Sequence, residues 1–160
     1  MSYIQNILAD DEKVVYQAKI SKKPFLGLII SGANLFFLSV LVPLILHIAK
    51  PDIDIVILII LGFIFFIDGI ILFFIAYNSY NSIELAFTNR RVIGKKGKRI
   101  VELNLNEVES IHIDQSTSNV GSVTIPNTED PQALTFLILD PMKFRDELME
   151  YIRANRMFFR

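Results

Sequence analysis

Cysteine and tryptophan are both absent from the 160 residues. Without cysteine there is no disulfide, no thiolate metal ligand and no thiol nucleophile. Histidine is nearly absent too. His47 and His112 lie far apart in the sequence and make no metal site by themselves. No glycine-rich phosphate loop occurs, and Gly94 and Gly97 are spaced for a strand hairpin. Ser116, Thr117 and Ser118 read as a polar turn rather than a nucleophile, and no Ser/His/Asp arrangement is spelled out. The sequence therefore reads as a non-enzyme, with no cofactor and no metal expected. The formal net charge of -1 points to no class of partner, since only local distribution can do that.

Charge itself is missing from one third of the chain. Between residues 24 and 77 the only formally charged side chains are Lys50, Asp52, Asp54 and Asp68. Two apolar runs result, 24–48 and 53–77. At about 1.5 Å rise per residue each helix is about 37 Å long, enough for a hydrocarbon core of about 30 Å. Only Ala49, Lys50, Pro51 and Asp52 separate them, which predicts an antiparallel hairpin of two transmembrane helices. A cleaved signal peptide is the rival reading of the first run. That run is too long, starts too late, and is followed at once by a second span.

Orientation follows the flanking cations. Lys13, Lys19, Lys22 and Lys23 precede the first span. Arg90, Arg91, Lys95 and Lys96 follow the second, and the turn has only Lys50. The expectation is a multi-pass protein of the cytoplasmic (inner) membrane with both termini cytoplasmic.

Asp68 is the polar exception inside the second span. A charged Asp at a helix centre costs about 2.5–3.5 kcal/mol on insertion scales. Nineteen Ile, Val, Leu and Phe residues in the same span outweigh it. If the turn is centred between Lys50 and Pro51, position i faces 101 − i. Gly32 then meets Gly69, Ser39 meets Gly62, and Asn34 falls one residue from Asp68. Asn34 and Asp68 form the candidate intramembrane polar pair. It is read as a lock within one hairpin, as a contact between hairpins, or as part of an ion or proton path.

The remainder reads as one soluble domain split by the hairpin: an N-terminal segment, 1–23, and a second part, 82–155. Val14, Tyr16, Ala18 and Ile20 alternate with polar neighbours, as in a half-buried strand that joins the sheet. Asp10, Asp11 and Glu12 before it read as a turn or a solvated acidic edge. After the spans, alternation over 83–88, 91–95 and 101–105 predicts further strands, with Lys96-Gly97 as a turn. Val120–Ile125 and Ala133–Leu139 are two more, separated by a polar loop at 127–132. Asp140-Pro141 opens a helix, with Asp as cap and Pro at the first helical position. Phe144, Leu148, Tyr151 and Ile152 form its apolar stripe, and Arg153, Arg156 and Arg160 lie toward its end. The fold class is a membrane α-helical hairpin plus an α+β, mostly β domain: an antiparallel curled sheet capped by a C-terminal helix.

Specific residues resemble the bacterial pleckstrin-homology-like domain in its membrane-anchored version. They are Leu85 with Thr88-Asn89-Arg90-Arg91-Val92-Ile93, then Gly97, then Leu103 and Leu105-Asn106-Glu107-Val108-Glu109-Ser110-Ile111. Gln115-Ser116, Gly121–Ile125, Phe136 and Asp140-Pro141-Met142-Lys143-Phe144-Arg145 complete the match, over about residues 82–153. Only Thr117-Ser118-Asn119-Val120 stand where family members have a longer, glycine-containing stretch. The resemblance implies a PH-like barrel that binds or assembles rather than catalyses.

Six cations fall between Arg90 and Arg99. If the first post-membrane strand leads away from the bilayer, Lys95, Lys96, Lys98 and Arg99 return toward anionic headgroups, each contributing about 1 kcal/mol. These four are the candidate lipid-facing basic tip. The expected partners are membrane lipids and either a further copy or another membrane protein. No aromatic interleaving supports nucleic acid. The expected function is a membrane-tethered PH-like adaptor or assembly module that senses anionic lipid or a membrane partner. The alternative is a small transport or proton-linked membrane subunit using Asp68.

Overall fold

The computed structural model describes residues 3–126 and 133–155, apart from the side chains of 109, 110 and 115–118. The polar loop expected at 127–132, and Arg156 and Arg160, lie outside the described residues. The chain divides into two compact units, one of Lys22–Tyr80 and one of Met1–Ser21 with Asn81–Arg160.

In the chain order of helices, α1 is Tyr3–Asn6, α2 is Lys23–Ala49 and α3 is Ile55–Asn81. α2 and α3 form the helical unit. Each has 27 residues and is long and apolar enough to cross a membrane. Many of their large side chains are exposed: Phe37 is 69% exposed and Phe74 64%. A soluble core helix would hide such residues.

The ends of α3 differ from expectation. It starts at Ile55 because the Asp54 carboxylate accepts the Val56 N–H at 2.9 Å, a side-chain cap. It also runs four residues past Tyr77. Residues 78–81, between the second apolar run and the first strand expected after it, are helical. Tyr80 there packs edge-to-face on Phe25 with centroids 5.9 Å apart, and Lys22 Nζ lies 5.6 Å from the Tyr80 centroid. Those contacts reward continued helix.

The seam between the helices has the 101 − i register. A Cβ on Gly32 would sit 3.2 Å from Gly69 O, one on Gly69 3.1 Å from Gly32 O, and one on Gly62 2.7 Å from Ser39 O. Small residues here bring the two backbones together. Phe36 fills the seam beside them, stacked on Phe73 and edge-on to Phe66.

The other unit holds two antiparallel sheets. In the first, β1 (Val14–Gln17), β2 (Ile83–Thr88), β3 (Arg91–Lys96) and β4 (Arg99–Asn104) pair in that order. In the second, β5 (His112–Ser118), β6 (Val120–Ile125) and β7 (Leu134–Leu139) do the same. A 3-10 turn at Leu105–Ser110 connects them, and α4 (Pro141–Asn155) ends the described chain. Ser116–Ser118, read as a turn, belong to β5; the turn is at Asn119.

The first strand joins both sheets. Val14 to Gln17 pair with β2. Lys19 O then accepts from Leu139 N, and Ser21 N donates to Leu137 O, each at 2.8 Å. β7 is thus bonded on both edges, by β6 and by this crossing segment.

Leu85, Phe87 and Val101 from one sheet meet Val123, Phe136 and Ile138 from the other, all almost fully buried. Phe144 and Leu148 of α4 enter the same core. Gly94 lets the sheets close: a Cβ there would meet Phe136 Cζ at 2.5 Å. Gly97, at φ +64°, makes the β3–β4 turn that an L side chain would strain. Asp140 precedes the first helical residue Pro141 as expected, but at φ 52°, a left-handed conformation that Asp tolerates. A smaller cluster forms on the first sheet's opposite side, where Ile4 of α1 covers Ala86 and Ile93.

Candidate functional site

Three sets of residues carry the chemistry. The first corrects the sequence reading of Glu12. It is 5% exposed, not solvated. Arg91 Nε and Nη2 donate to its two carboxylate oxygens at 2.9 and 2.8 Å. The Thr88 hydroxyl lies 2.7 Å from Oε1, and Ala9 N–H reaches Oε2 at 3.3 Å. Arg91 also pairs with Glu102, and Arg90 with Asp11. Asn89 completes the set: its Oδ1 accepts Lys13 N–H at 2.9 Å, and its side-chain amide donates to Asp11 O at 3.2 Å. Burial pushes the Glu12 carboxyl up, but the Arg91 and Thr88 bonds prevail and hold it at about 2. Glu12 in turn raises Arg91 above its usual value. Thr88-Asn89-Arg90-Arg91 therefore clamps the N-terminal segment, and both arginines are ion-paired within the fold. A lone Glu among three acids gave no sign of this. The partner lies 79 residues away.

The second set is the basic tip. Lys95 and Lys96 end β3, Lys98 is in the turn and Arg99 starts β4, opposite Lys96. The fold gathers all four at one end of the hairpin, away from Arg91 at the other. Lys95 and Lys96 make contacts within their own unit. Lys95 Nζ lies 3.8 Å from the Tyr3 ring centroid, over α1. Lys96 Nζ donates to Thr135 O at 3.2 Å. Beside Lys95 in the ladder, Glu84 accepts the Tyr3 and Ile4 N–H groups at 2.9 and 3.0 Å.

The third set was not anticipated as a site. β5 is the edge of its sheet: among the described residues it pairs only with β6. A groove of about 360 Å³ lies between it and α4, lined by Val108, Ile111, Ile113, Leu148 and Met149, with His112 and Arg145. Arg145 and Met149 also line a second hollow along α4. The sequence signal was faint: Met149 and Arg145 flank the apolar stripe of α4, and their meeting with β5 is a tertiary matter. Among the described residues no cluster of three or more His, Asp or Glu side chains could hold a metal ion.

In the helical unit Asn34 and Asp68 are both exposed. Neither side chain makes a hydrogen bond among the described residues. Gly32 and Gly69, not these two, occupy the seam.

No family model, curated protein or solved structure matches this chain.

Proposed function

We propose that this protein is a membrane-tethered adaptor. A PH-like domain is held at the cytoplasmic face by a transmembrane hairpin, and it recognises an extended partner segment along the β5–α4 groove. The observation that carries this reading is the insertion of α2 and α3 into the connection between β1 and β2. The four-plus-three strand arrangement with a closing helix suits the PH-like resemblance. The chain enters and leaves the helices from within the sheet unit, so two covalent links tether the domain. Such a tether suits a module that holds something at a membrane.

The groove favours a peptide strand as the bound partner. An unpaired sheet edge supplies backbone donors and acceptors, and an adjacent pocket selects side chains. Here the pocket is apolar with a cationic rim, which suits an apolar residue next to an acidic one.

The test is photo-crosslinking of the full-length protein in native membranes. A photoreactive residue replaces Met149 in the groove or Lys143, exposed elsewhere on α4. Protein adducts at Met149, absent at Lys143 and lost with Arg145→Glu, are expected. Equal adducts at both positions, or none, would rule the groove out. Lipid adducts from Lys98 alone would instead favour the basic tip.

A further inference from the structure

We infer that the helix pair assembles with further copies of itself, Asn34 of one copy meeting Asp68 of the next. This rests on the membrane reading of α2 and α3.

The seam inside one hairpin is already closed by Gly32 against Gly69 and by Gly62 against Ser39. Neither polar side chain takes part, and both are exposed. Helical geometry shows why. Successive residues turn by about 100°, so Asn34, two beyond Gly32, lies about 200° from the seam, on the back of α2. Asp68, one before Gly69, lies about 100° from the seam, on the flank of α3. They occupy different faces of the hairpin.

Polar groups within hydrocarbon face other protein, not lipid. A second copy supplies that protein with the right chemistry. Asn34 and Asp68 sum to within one residue of the seam register, so they lie at one depth. A neighbouring copy with the same orientation therefore holds its carboxyl at the depth of the carboxamide. A two-fold contact joining Asn34 to Asn34 would leave Asp68 bare. Only a heterologous contact, back of α2 to flank of α3, covers both. The back of α2 is also open to close approach. Gly27 is one heptad before Asn34, and a Cβ placed on it would meet nothing within 4 Å.

The absence of cysteine makes the test clean. Leu38 is one turn from Asn34 and Ile64 one turn from Asp68; both are exposed. L38C and I64C, on two differently tagged full-length copies, are co-expressed and oxidised in native membranes, with Asn34 and Asp68 intact. Disulfide dimers carrying both tags are expected, several-fold above V40C with I64C, which lies only about 3 Å off that depth but on a different face. Leu38→Cys alone should give few dimers. Asp68→Leu or Asn34→Leu should remove the mixed dimer, while Asp68→Asn, which keeps a donor and an acceptor, should retain it.

Equal dimer from L38C alone, no mixed dimer, or disulfide-independent capture of a different protein by the same face would overturn the inference. Carbonate extraction separates the two levels. A chain that stays in the pellet without mixed dimers defeats self-assembly alone. A chain that is extracted defeats the membrane reading and self-assembly with it.

Discussion

At Glu12 the balance between burial and bonding has a consequence for acid stability. Its carboxyl is held at about 2, below the ordinary 4.5. The stabilisation is complete above the unfolded value near 4.5 and is lost as pH falls through the folded value near 2. That shift corresponds to roughly 3 kcal/mol. Glu12→Gln keeps the shape and removes the charge, leaving Glu102 as the carboxylate paired with Arg91. We expect a loss of about 2–3 kcal/mol at neutral pH and a flatter stability profile between pH 4.5 and 2. Thermal melts of wild type and variant across that range check it. Parallel profiles with equal midpoints would show that the clamp contributes nothing. Nothing local to Glu12 announces this role. Asp10, Asp11 and Glu12 look alike in a row, and only the return of Arg91 beside β1 separates Glu12 from its neighbours. By contrast, Gly97 and Asp140-Pro141 were readable because they act on their own backbone, within a few residues.

Among the elements, α1 and β1 depend most on distant partners. β1 supplies an edge to β2 and continues to β7, while α1 covers Ala86 and Ile93. Alternation at Val14–Ile20 announces a strand, because a half-buried strand shows a period of 2 whichever strand it pairs with. Nothing so periodic marks α1, a single turn held by Glu84 and by Ile4, which is 1% exposed. A fragment of residues 80–160 would expose the β2 edge and the Ala86–Ile93 patch. The comparison is the same fragment with residues 3–21 joined through a flexible linker in place of the helices. The joined form should have the higher urea midpoint and bind less of a hydrophobic dye. Identical midpoints would mean that the N-terminal elements are dispensable.

For the whole molecule, the pairing of β1 with β2 constrains topology. Residues before and after the helices belong to one folded unit, so both must lie on one side of any membrane. The intervening helices then cross twice or not at all. Two crossings with the lysine-rich flanks inside is the arrangement the cations favour. Reporter fusions at residue 51 and at residue 160 measure it. The expected result is external activity at 51 and cytoplasmic activity at 160. Cytoplasmic activity at both would mean that the helices do not span.

The sequence by itself determined the two long helices, their antiparallel return and their seam register. An uninterrupted apolar run specifies helix length, and a short turn centred at Lys50-Pro51 leaves few alternatives for pairing. It also determined most strands, whose periodicity is local. Only the tertiary structure decided what each polar side chain does. Thr88-Asn89-Arg90-Arg91 became a clamp because Glu12 is brought to it across the inserted helices. Asn34 and Asp68 ended outside the seam because glycines one or two residues away allow the closer backbone approach. The groove exists because α4 lies beside β5, which among the described residues pairs only with β6. Each of these outcomes rests on contacts between residues distant in sequence, to which local pattern is blind.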